Sequence, residues 1–259
     1  MSTISDCAHN PLMLTYGCSL TEPGGGNMVG NMNASDLSEA PGGLSPAGFI
    51  CRAAFYFDGF NLYHAIDELG QNHLKWLDLW SLSKKLLLQG HELHRVIWCS
   101  AAYTSDPQKL IRHRLYRKAL ESTGVECELG HFIQEFTQCK ACGKRHAKRT
   151  EKQSDVNLAI RLIRDAYQDR YDTAYLVTAD SDQSATARHF RDLFPDKKLI
   201  SITPPGKPHS KDILRFAHGQ RTIKQSAIEQ NLFPQIVMQH GAEICRRPEA
   251  YDPPTASGI

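Results

Sequence analysis

The sequence predicts an α/β protein with a three-layer α/β/α fold, in which helices cover both faces of a mostly parallel sheet. Short apolar runs bounded by turn residues indicate buried strands, and leucines at helical spacing indicate helices. The two kinds of segment alternate from residue 51 onward, and this β-α-β order is typical of a parallel sheet with crossover helices. We therefore expect residues 51–235 to form one domain.

The first predicted strand is the aromatic-rich run from Ala53 to Phe57, which ends at Asp58 and Gly59. Further strands are predicted at residues 94–103, 125–132, 174–178 and 198–202. Helices are predicted through residues 62–69 and at 77–88, 107–122, 154–167, 182–193, 213–218 and 223–231.

The two ends of the chain differ from this domain in composition. Residues 1–50 contain four acids, no lysine or arginine, and several glycine-rich runs. They bury too little apolar surface to offset the entropic cost of ordering, so we expect them to be disordered. Residues 236–259 are expected to form a loose C-terminal tail.

The charge of the chain is unevenly distributed. The net charge is +2, and because the first 50 residues contribute only their four acids, residues 51–259 carry +6. A mildly basic domain is compatible with a polyanionic partner. The N-terminus shows neither the basic start of an export signal nor an apolar run long enough for a membrane, so we expect a cytoplasmic protein.

Four aspartates are predicted to meet at one edge of the sheet. Asp58 follows the first strand, Asp180 and Asp182 follow the strand at 174–178, and Asp155 starts the long helix. Ligands of open parallel sheets bind at the carboxyl ends of the strands. Two carboxylates about 4 Å apart repel by about 4 kcal/mol at an effective dielectric of about 20, and a cation removes that repulsion. Oxygen-only ligands favour Mg²⁺ or Mn²⁺, which indicates hydrolysis at phosphorus.

Each aspartate also has a purely structural interpretation. An aspartate between a strand and a glycine is common in turns, and Asp155 at a helix start is an ordinary cap. Turn chemistry alone gives no reason for the ends of two separate strands to be acidic, and this favours the metal site.

Three sequence blocks resemble the signature motifs of the NYN domain family, a branch of the PIN-like nucleases. The blocks are Phe57-Asp58-Gly59-Phe60-Asn61, Glu151 to Ala159, and Val177 to Asp182, and they follow one another in the family's order. The resemblance covers roughly residues 52–217, nearly the whole predicted domain. It implies a PIN-like α/β/α fold, a divalent-metal site and RNA as the usual substrate.

The resemblance also implies roles for individual residues. The catalytic, metal-binding acids would be Asp58, Asp155, Asp180 and Asp182. Asn61 corresponds to a family asparagine that could orient an acid or meet a phosphate. Thr178 and Ser181 could hydrogen-bond the substrate or the neighbouring carboxylates, with satisfied turn hydroxyls as the alternative. Gln183 stands where many members have an apolar residue, which affects local packing or substrate choice.

Cys139 and Cys142 form a Cys-x-x-Cys-Gly turn in a basic stretch. Two thiolates at this spacing can reach one tetrahedral zinc ion, with His146 or His131 as further ligands and Cys127 a weaker candidate because it falls in a predicted strand. A redox pair normally opens a helix after a strand, which this pair does not. Structural zinc is the preferred interpretation of the pair, ordinary free thiols are the second, and redox chemistry is the third.

Residues 140–149 hold five lysines or arginines and no acid, within a predicted insertion at residues 132–150. They lead directly into the block that starts at Glu151, so phosphate-neutralising side chains would emerge beside the acidic cluster. The expected substrate-binding residues here are Lys144, Arg145, Lys148 and Arg149. A solvated charged face is the alternative interpretation.

Together these patterns predict a metal-dependent ribonuclease that hydrolyses RNA phosphodiester bonds. The alternative is a non-catalytic RNA-binding or adaptor protein with the same fold, and the presence of all four acids argues against it. A phosphatase of the haloacid dehalogenase type would carry a second aspartate two positions from Asp58, where Tyr56 and Phe60 stand. A dinucleotide site would need a Gly-x-Gly-x-x-Gly motif after a strand, and no predicted strand of this sequence is followed by one. A homo-oligomer or a further protein partner is left open.

Overall fold

A seven-stranded sheet forms the centre of the computed structural model, which describes residues 50–101, 106–138 and 145–254. Its strand order is β4-β3-β2-β1-β5-β6-β7. The strands are β1 (Cys51–Asp58), β2 (His91–Ala101), β3 (Glu126–Gln138), β4 (Arg145–Lys152), β5 (Thr173–Val177), β6 (Lys198–Thr203) and β7 (Gly219–Thr222). All neighbouring pairs run parallel except β3 and β4, which are antiparallel.

Seven helices connect these strands within the described residues. They are α1 (Gly59–Asp67), α2 (Leu79–Leu86), α3 (Pro107–Ser122), α4 (Ser154–Tyr167), α5 (Ser184–Leu193), α6 (Lys211–Leu214) and α7 (Gln225–Glu229). Three 3-10 turns lie at Asn72–Lys75, Ser181–Gln183 and Glu249–Tyr251. Two short strands, β8 (Ile236–Gln239) and β9 (Ala242–Arg246), form a separate antiparallel hairpin.

The core lies on both faces of the sheet, because successive side chains of a strand point to opposite sides. Phe55 and Phe57 of β1 pack with α1, α2 and α3 on one face, whereas Tyr56 packs with α4 and α5 on the other. All residues from Ala53 to Asp58 are buried, as expected for a central parallel strand covered on both sides. The predicted three-layer α/β/α arrangement is confirmed.

The bounds of α3 and α4 agree with the sequence prediction. Asp106 caps α3, because its carboxylate accepts hydrogen bonds from the backbone N–H groups of Gln108 and Lys109, and Pro107 occupies the first helical position. The α2 helix is two residues shorter at each end than the expected span.

The basic stretch before α4 differs from the expected irregular loop. Arg145–Lys152 forms β4, which pairs with β3 from His131 to Gln138. Lysine is depleted in strands and the stretch has no apolar alternation, so nothing in the pattern indicated a strand here. Backbone pairing with the second half of β3 stabilises β4 instead.

The region after β6 also differs from the expected pair of helices. The edge strand β7 lies between α6 and α7, which have only four and five residues. The Gly-Gln-Arg-Thr sequence of β7 has no apolar run, and its burial alternates between intermediate and exposed. An edge strand with one solvated face needs no apolar run, which is why the pattern was missed.

Part of the expected loose tail is ordered. The β8–β9 hairpin contributes Val237 and Cys245 to the main core, where they are 4% and 5% exposed. The following turn brings Tyr251 against the same cluster. Two buried side chains on facing strands therefore fix residues 236–246, which corrects the expectation of a loose tail there.

The expected disorder of residues 1–50 falls almost wholly outside the described residues. Among the helices that the structure describes, none combines the length and the apolar character that a membrane crossing requires.

Candidate metal centre

The candidate centre lies where β1 and β5 end. These two parallel strands are neighbours, with Phe57 paired to Val177, so the residues that follow them stand side by side. Asp58 is both the last residue of β1 and the N-cap of α1, and it is only 4% exposed. The strand-to-helix turn therefore holds a carboxylate in the protein interior.

Hydrogen bonds fix both oxygens of the Asp58 carboxylate. Oδ1 accepts from the backbone N–H of Asn61 at 3.0 Å, and Oδ2 accepts from the hydroxyl of Thr178 at 2.9 Å. The Thr178 hydroxyl in turn accepts from the backbone N–H of Asp180 at 3.0 Å. The amide oxygen of Asn61 accepts from the backbone N–H of Ala179 at 2.9 Å. This network joins the start of α1 to the turn after β5.

The surroundings of Asp58 disfavour its negative charge. Burial raises the pKa of its carboxyl to about 6, and the carboxylates of Asp155 and Asp180 act in the same direction. The hydrogen bonds from Asn61 and Thr178 oppose this shift. Three of the four predicted acids thus interact through their charges.

The turn Ser181–Gln183 positions the other acids that follow β5. Asp180 caps this turn, because its Oδ1 accepts from the backbone N–H of Asp182 at 3.0 Å. The side chains of Asp182 and Ser181 are exposed. Asp182 therefore enters the arrangement through its backbone, while its carboxylate faces solvent.

Asp155 is not the cap of α4. The N-cap is Gln153, which has a left-handed backbone with φ of 81° and makes no side-chain capping hydrogen bond. Asp155 lies in the first turn of the helix and its side chain is exposed. The capping interpretation of this residue is therefore wrong, although its charge still interacts favourably with the helix dipole.

Gln183 links the two acidic segments, a role that the sequence pattern did not reveal. Its side chain is buried, with Nε2 donating to the backbone carbonyl of Asp155 at 3.2 Å. Its Oε1 accepts from the Thr186 hydroxyl at 2.8 Å. The residue that departs from the family pattern thus ties the turn after β5 to the start of α4.

Gly59 is required by close packing rather than by turn geometry. A Cβ atom at this position would lie 2.6 Å from the carbonyl oxygen of Cys99 and 2.6 Å from Nε1 of Trp98. No larger residue fits between α1 and the end of β2 without a shift of the backbone. Gly59 therefore lets α1 start close to β2, which keeps Asp58 at the edge of the sheet.

The predicted basic and cysteine residues are described only in part. Cys139, Cys142 and Lys144 lie outside the described residues, and for His146, Lys148 and Arg149 only the backbone of β4 is described. The guanidinium of Arg145 lies 5.4 Å from the centre of the exposed Phe136 ring. Nδ1 of His131 lies 3.1 Å from Oε1 of Gln153. Burial raises the pKa of the Cys127 thiol to about 12, which disfavours the thiolate that zinc requires.

The acids at the β1–β5 edge fit magnesium or manganese better than zinc. Their donor atoms are all carboxylate oxygens, the ligand type that hard cations prefer. Within the described residues, no three His, Cys, Asp or Glu side chains are grouped closely enough to hold a metal ion. Mg²⁺ usually takes only one or two carboxylates together with waters and phosphate oxygens, so it does not need such a group.

The parallel sheet with helices on both faces and the acids at its carboxyl edge define an α/β protein of the PIN-like class. The chain belongs to the NYN domain family, whose model matches residues 52–222. The family resemblance of the three sequence blocks is confirmed.

Individual relatives are distant. Among curated proteins, 6-hydroxy-3-succinoylpyridine 3-monooxygenase HspA of Pseudomonas putida is 24% identical in an alignment of 208 residues that covers 66% of this chain and 66% of the relative. The chain therefore spans just under two thirds of the length of that relative. A protein of unknown function from Vibrio parahaemolyticus is 19% identical, with a TM-score of 0.47 and coverage of 71% of this chain and 96% of that one. A hypothetical protein from Neisseria gonorrhoeae with bound ppGpp is 10% identical, with a TM-score of 0.24 and coverage of 69% of this chain and 87% of that one.

We predict that Asp58→Asn stabilises the metal-free protein at neutral pH. Because the pKa of Asp58 is about 6 in the folded chain and 3.8 ordinarily, the folded state binds more protons between these values, and its stability falls as the pH rises. A shift of about two units corresponds to about 3 kcal/mol. Urea unfolding in EDTA should show that Asp58→Asn raises the free energy of unfolding by up to this amount at pH 7.5 and changes it little at pH 4.

The control for this measurement is Asp192→Asn, which alters an exposed aspartate on α5. It should change the free energy of unfolding little at either pH. An Asp58→Asn gain that is equal at pH 4 and pH 7.5 would contradict the proposed burial of the charge.

We also predict that Gln183→Met destabilises the protein by about 1 kcal/mol, because a side chain of similar size loses two hydrogen bonds. Chemical denaturation measures the change, with Gln168→Met at the exposed end of α4 as the matched control. Equal effects of the two substitutions would show that Gln183 does not tie α4 to the turn.

Proposed function

We propose that this chain is a metal-dependent ribonuclease that hydrolyses phosphodiester bonds of RNA at the β1–β5 edge of the sheet. One observation carries the proposal. A buried carboxylate, that of Asp58, lies close enough to Asp155 and Asp180 for their charges to raise its pKa. Such an arrangement of like charges at a strand end is costly unless a cation joins them.

The residues of the chain divide the work of holding that cation. Asp58 is fixed by Thr178 and by the N–H of Asn61, so it would be the rigid ligand. Asp155 lies in the first turn of α4 and acts on Asp58 through its charge, and Asp180 is anchored by its backbone. Asp182 would bind through its exposed carboxylate or through water. When bound, Mg²⁺ or Mn²⁺ lowers the pKa of a coordinated water and neutralises charge on the phosphate.

Other residues at the edge act through these acids. The hydroxyl of Thr178 and the amide of Asn61 hold the two strand ends together. Because the hydrogen-bond partners of Thr178 and Asn61 are protein groups, we propose that both residues position the acids, and that the exposed Ser181 meets the phosphate backbone. Gln183 keeps the start of α4 beside the turn.

The case for RNA rests on family membership and on charge. NYN domains are nuclease-like, and residues 51–259 carry a net charge of +6. The β4 strand that carries Arg145, Lys148 and Arg149 leads directly into α4 and therefore toward Asp155. Lysines and arginines placed there would contact phosphates without reading the sequence. We propose cytoplasmic RNA as the substrate.

The test is cleavage of end-labelled single-stranded and hairpin RNA by the full chain with Mg²⁺ or Mn²⁺. We predict that Asp58→Asn and Asp180→Asn each lower the cleavage rate at least about 100-fold, since outer partners of metal ligands alone often contribute about 10–100-fold. EDTA should abolish cleavage by the wild-type chain.

Asp78→Asn is the matched control. Asp78 also caps a helix and its pKa is also raised by burial, but its charged neighbour is Lys84 rather than a carboxylate. It should retain full activity. RNA binding without cleavage in every form would favour the non-catalytic alternative. Oxygenation of 6-hydroxy-3-succinoylpyridine without RNA cleavage would contradict the proposal and indicate the activity named for the relative.

A further inference from the structure

A cavity of about 310 Å³ lies beside the acidic edge and takes no part in the hydrolysis proposed above. It is bounded by α1, by α3 and by the end of β2. Gly59 and Phe60, the two residues after Asp58, line it, as do Ser100 and Ala101 where β2 ends. The cavity therefore adjoins the turn that carries Asp58.

Aromatic side chains form several parts of the cavity walls. The rings of Trp98 and Tyr116 meet edge to face with centroids 5.7 Å apart. The rings of Phe60 and Phe132 do the same, also at 5.7 Å. Flat aromatic surfaces favour a flat ligand ring, and bases stack on such side chains by about 1–3 kcal/mol each.

Three cationic side chains belong to the lining, those of Lys75, Lys109 and Arg112, and none of its described residues is acidic. Lys75 is ion-paired with Asp67 and lies 5.2 Å from the centre of the Tyr63 ring. An aromatic cavity with a cationic rim suits a ring that carries an anionic group.

One residue of the lining is a neutral histidine. The His113 ring lies 5.4 Å from that of Trp98, and burial, with Arg117 in addition, lowers the pKa of His113 to about 4, so the imidazole is neutral at pH 7. Its Nε2 is covered by protein atoms and has no hydrogen-bond partner among the described residues. The charged groups of the lining are therefore the two lysines and the arginine.

The volume of the cavity indicates the size of the ring. An apolar cavity of roughly 150 Å³ accepts benzene. A space of about 310 Å³ is therefore large enough for a two-ring heterocycle, and a one-ring base would leave part of it unfilled.

We propose that this cavity binds one purine nucleotide, with the base between the aromatic walls and the phosphate at Lys109 and Arg112. The nucleotide can belong to an RNA strand or be free. The strand form rests on the proposed ribonuclease function and would make a purine beside the scissile phosphate a determinant of cleavage.

Binding of nucleoside 5′-monophosphates to the full chain in EDTA tests the proposal without cleavage. Isothermal titration should show that AMP or GMP binds at least about tenfold more tightly than CMP and UMP. Purine monophosphates that bind no more tightly than pyrimidine monophosphates would overturn it.

Variants test the site itself. Arg112→Gln should weaken the binding of all four nucleotides, because each carries the phosphate that Arg112 is proposed to contact. Arg114→Gln, exposed on the same helix and outside the cavity, should leave binding unchanged. Equal affinities of the wild-type chain and Arg112→Gln for all four nucleotides would contradict the assignment.

Competition distinguishes the two sources of the nucleotide. An oligonucleotide with purines that displaces AMP or GMP, while an all-pyrimidine one does not, indicates the strand form. If neither competes, the ligand is a free nucleotide. Purine binding that persists although no form of the chain cleaves RNA would support the cavity and contradict the ribonuclease. RNA cleavage by a chain that shows no purine preference in binding would support the ribonuclease and contradict the cavity assignment.

Discussion

The hydrogen bond from the Thr178 hydroxyl to the Asp58 carboxylate is the contact on which the candidate site depends. It joins the ends of the two central strands, β1 and β5, at a point where Asp58 is almost wholly buried. The same hydroxyl accepts from the N–H of Asp180, so one side chain sets the distance between two acids. Around this contact, Gly59 allows α1 to approach β2, and Gln183 brings α4 to the turn.

This arrangement reduces the stability of the metal-free fold at neutral pH, and under the proposed function it prepares a cation site. Burial and two neighbouring carboxylates raise the pKa of Asp58, so its ionisation at neutral pH opposes folding. A hard cation reverses this effect, because it favours the ionised form of every acid that it contacts. The exposed side chains of Asp155 and Asp182 leave room for waters and a phosphate in the coordination shell. The cost to folding and the proposed activity thus have the same physical origin.

Much of the fold followed from the sequence because its signals are local. The aromatic run of β1 and the capped, periodic helices α3 and α4 have patterns that tertiary contacts only reinforce. The β4 and β7 strands lack such patterns, since backbone pairing to a neighbour stabilises them. The β8–β9 hairpin was missed because its burial depends on two side chains, Val237 and Cys245, that contact distant parts of the chain.

The same distinction applies to the site. Strand-end placement and family blocks indicated Asp58, Asp155 and Asp180, whose charges interact in the structure. Gln183 and the cavity at His113 were not predicted, because their roles depend on contacts between segments far apart in sequence. For Gln183, the one indication in the sequence was a glutamine where many family members have an apolar residue. No sequence signal marks a cavity whose lining comes from several separate segments.

Anomalous diffraction from crystals soaked in Mn²⁺ tests most directly whether the acids at the β1–β5 edge form a metal centre. We predict a manganese peak at coordination distance, about 2.0–2.6 Å, from the Asp58 carboxylate and from at least one of Asp155 and Asp180. The peak should vanish in crystals of Asp58→Asn. A peak that persists in that variant, or manganese bound only elsewhere on the molecule, would contradict the metal centre.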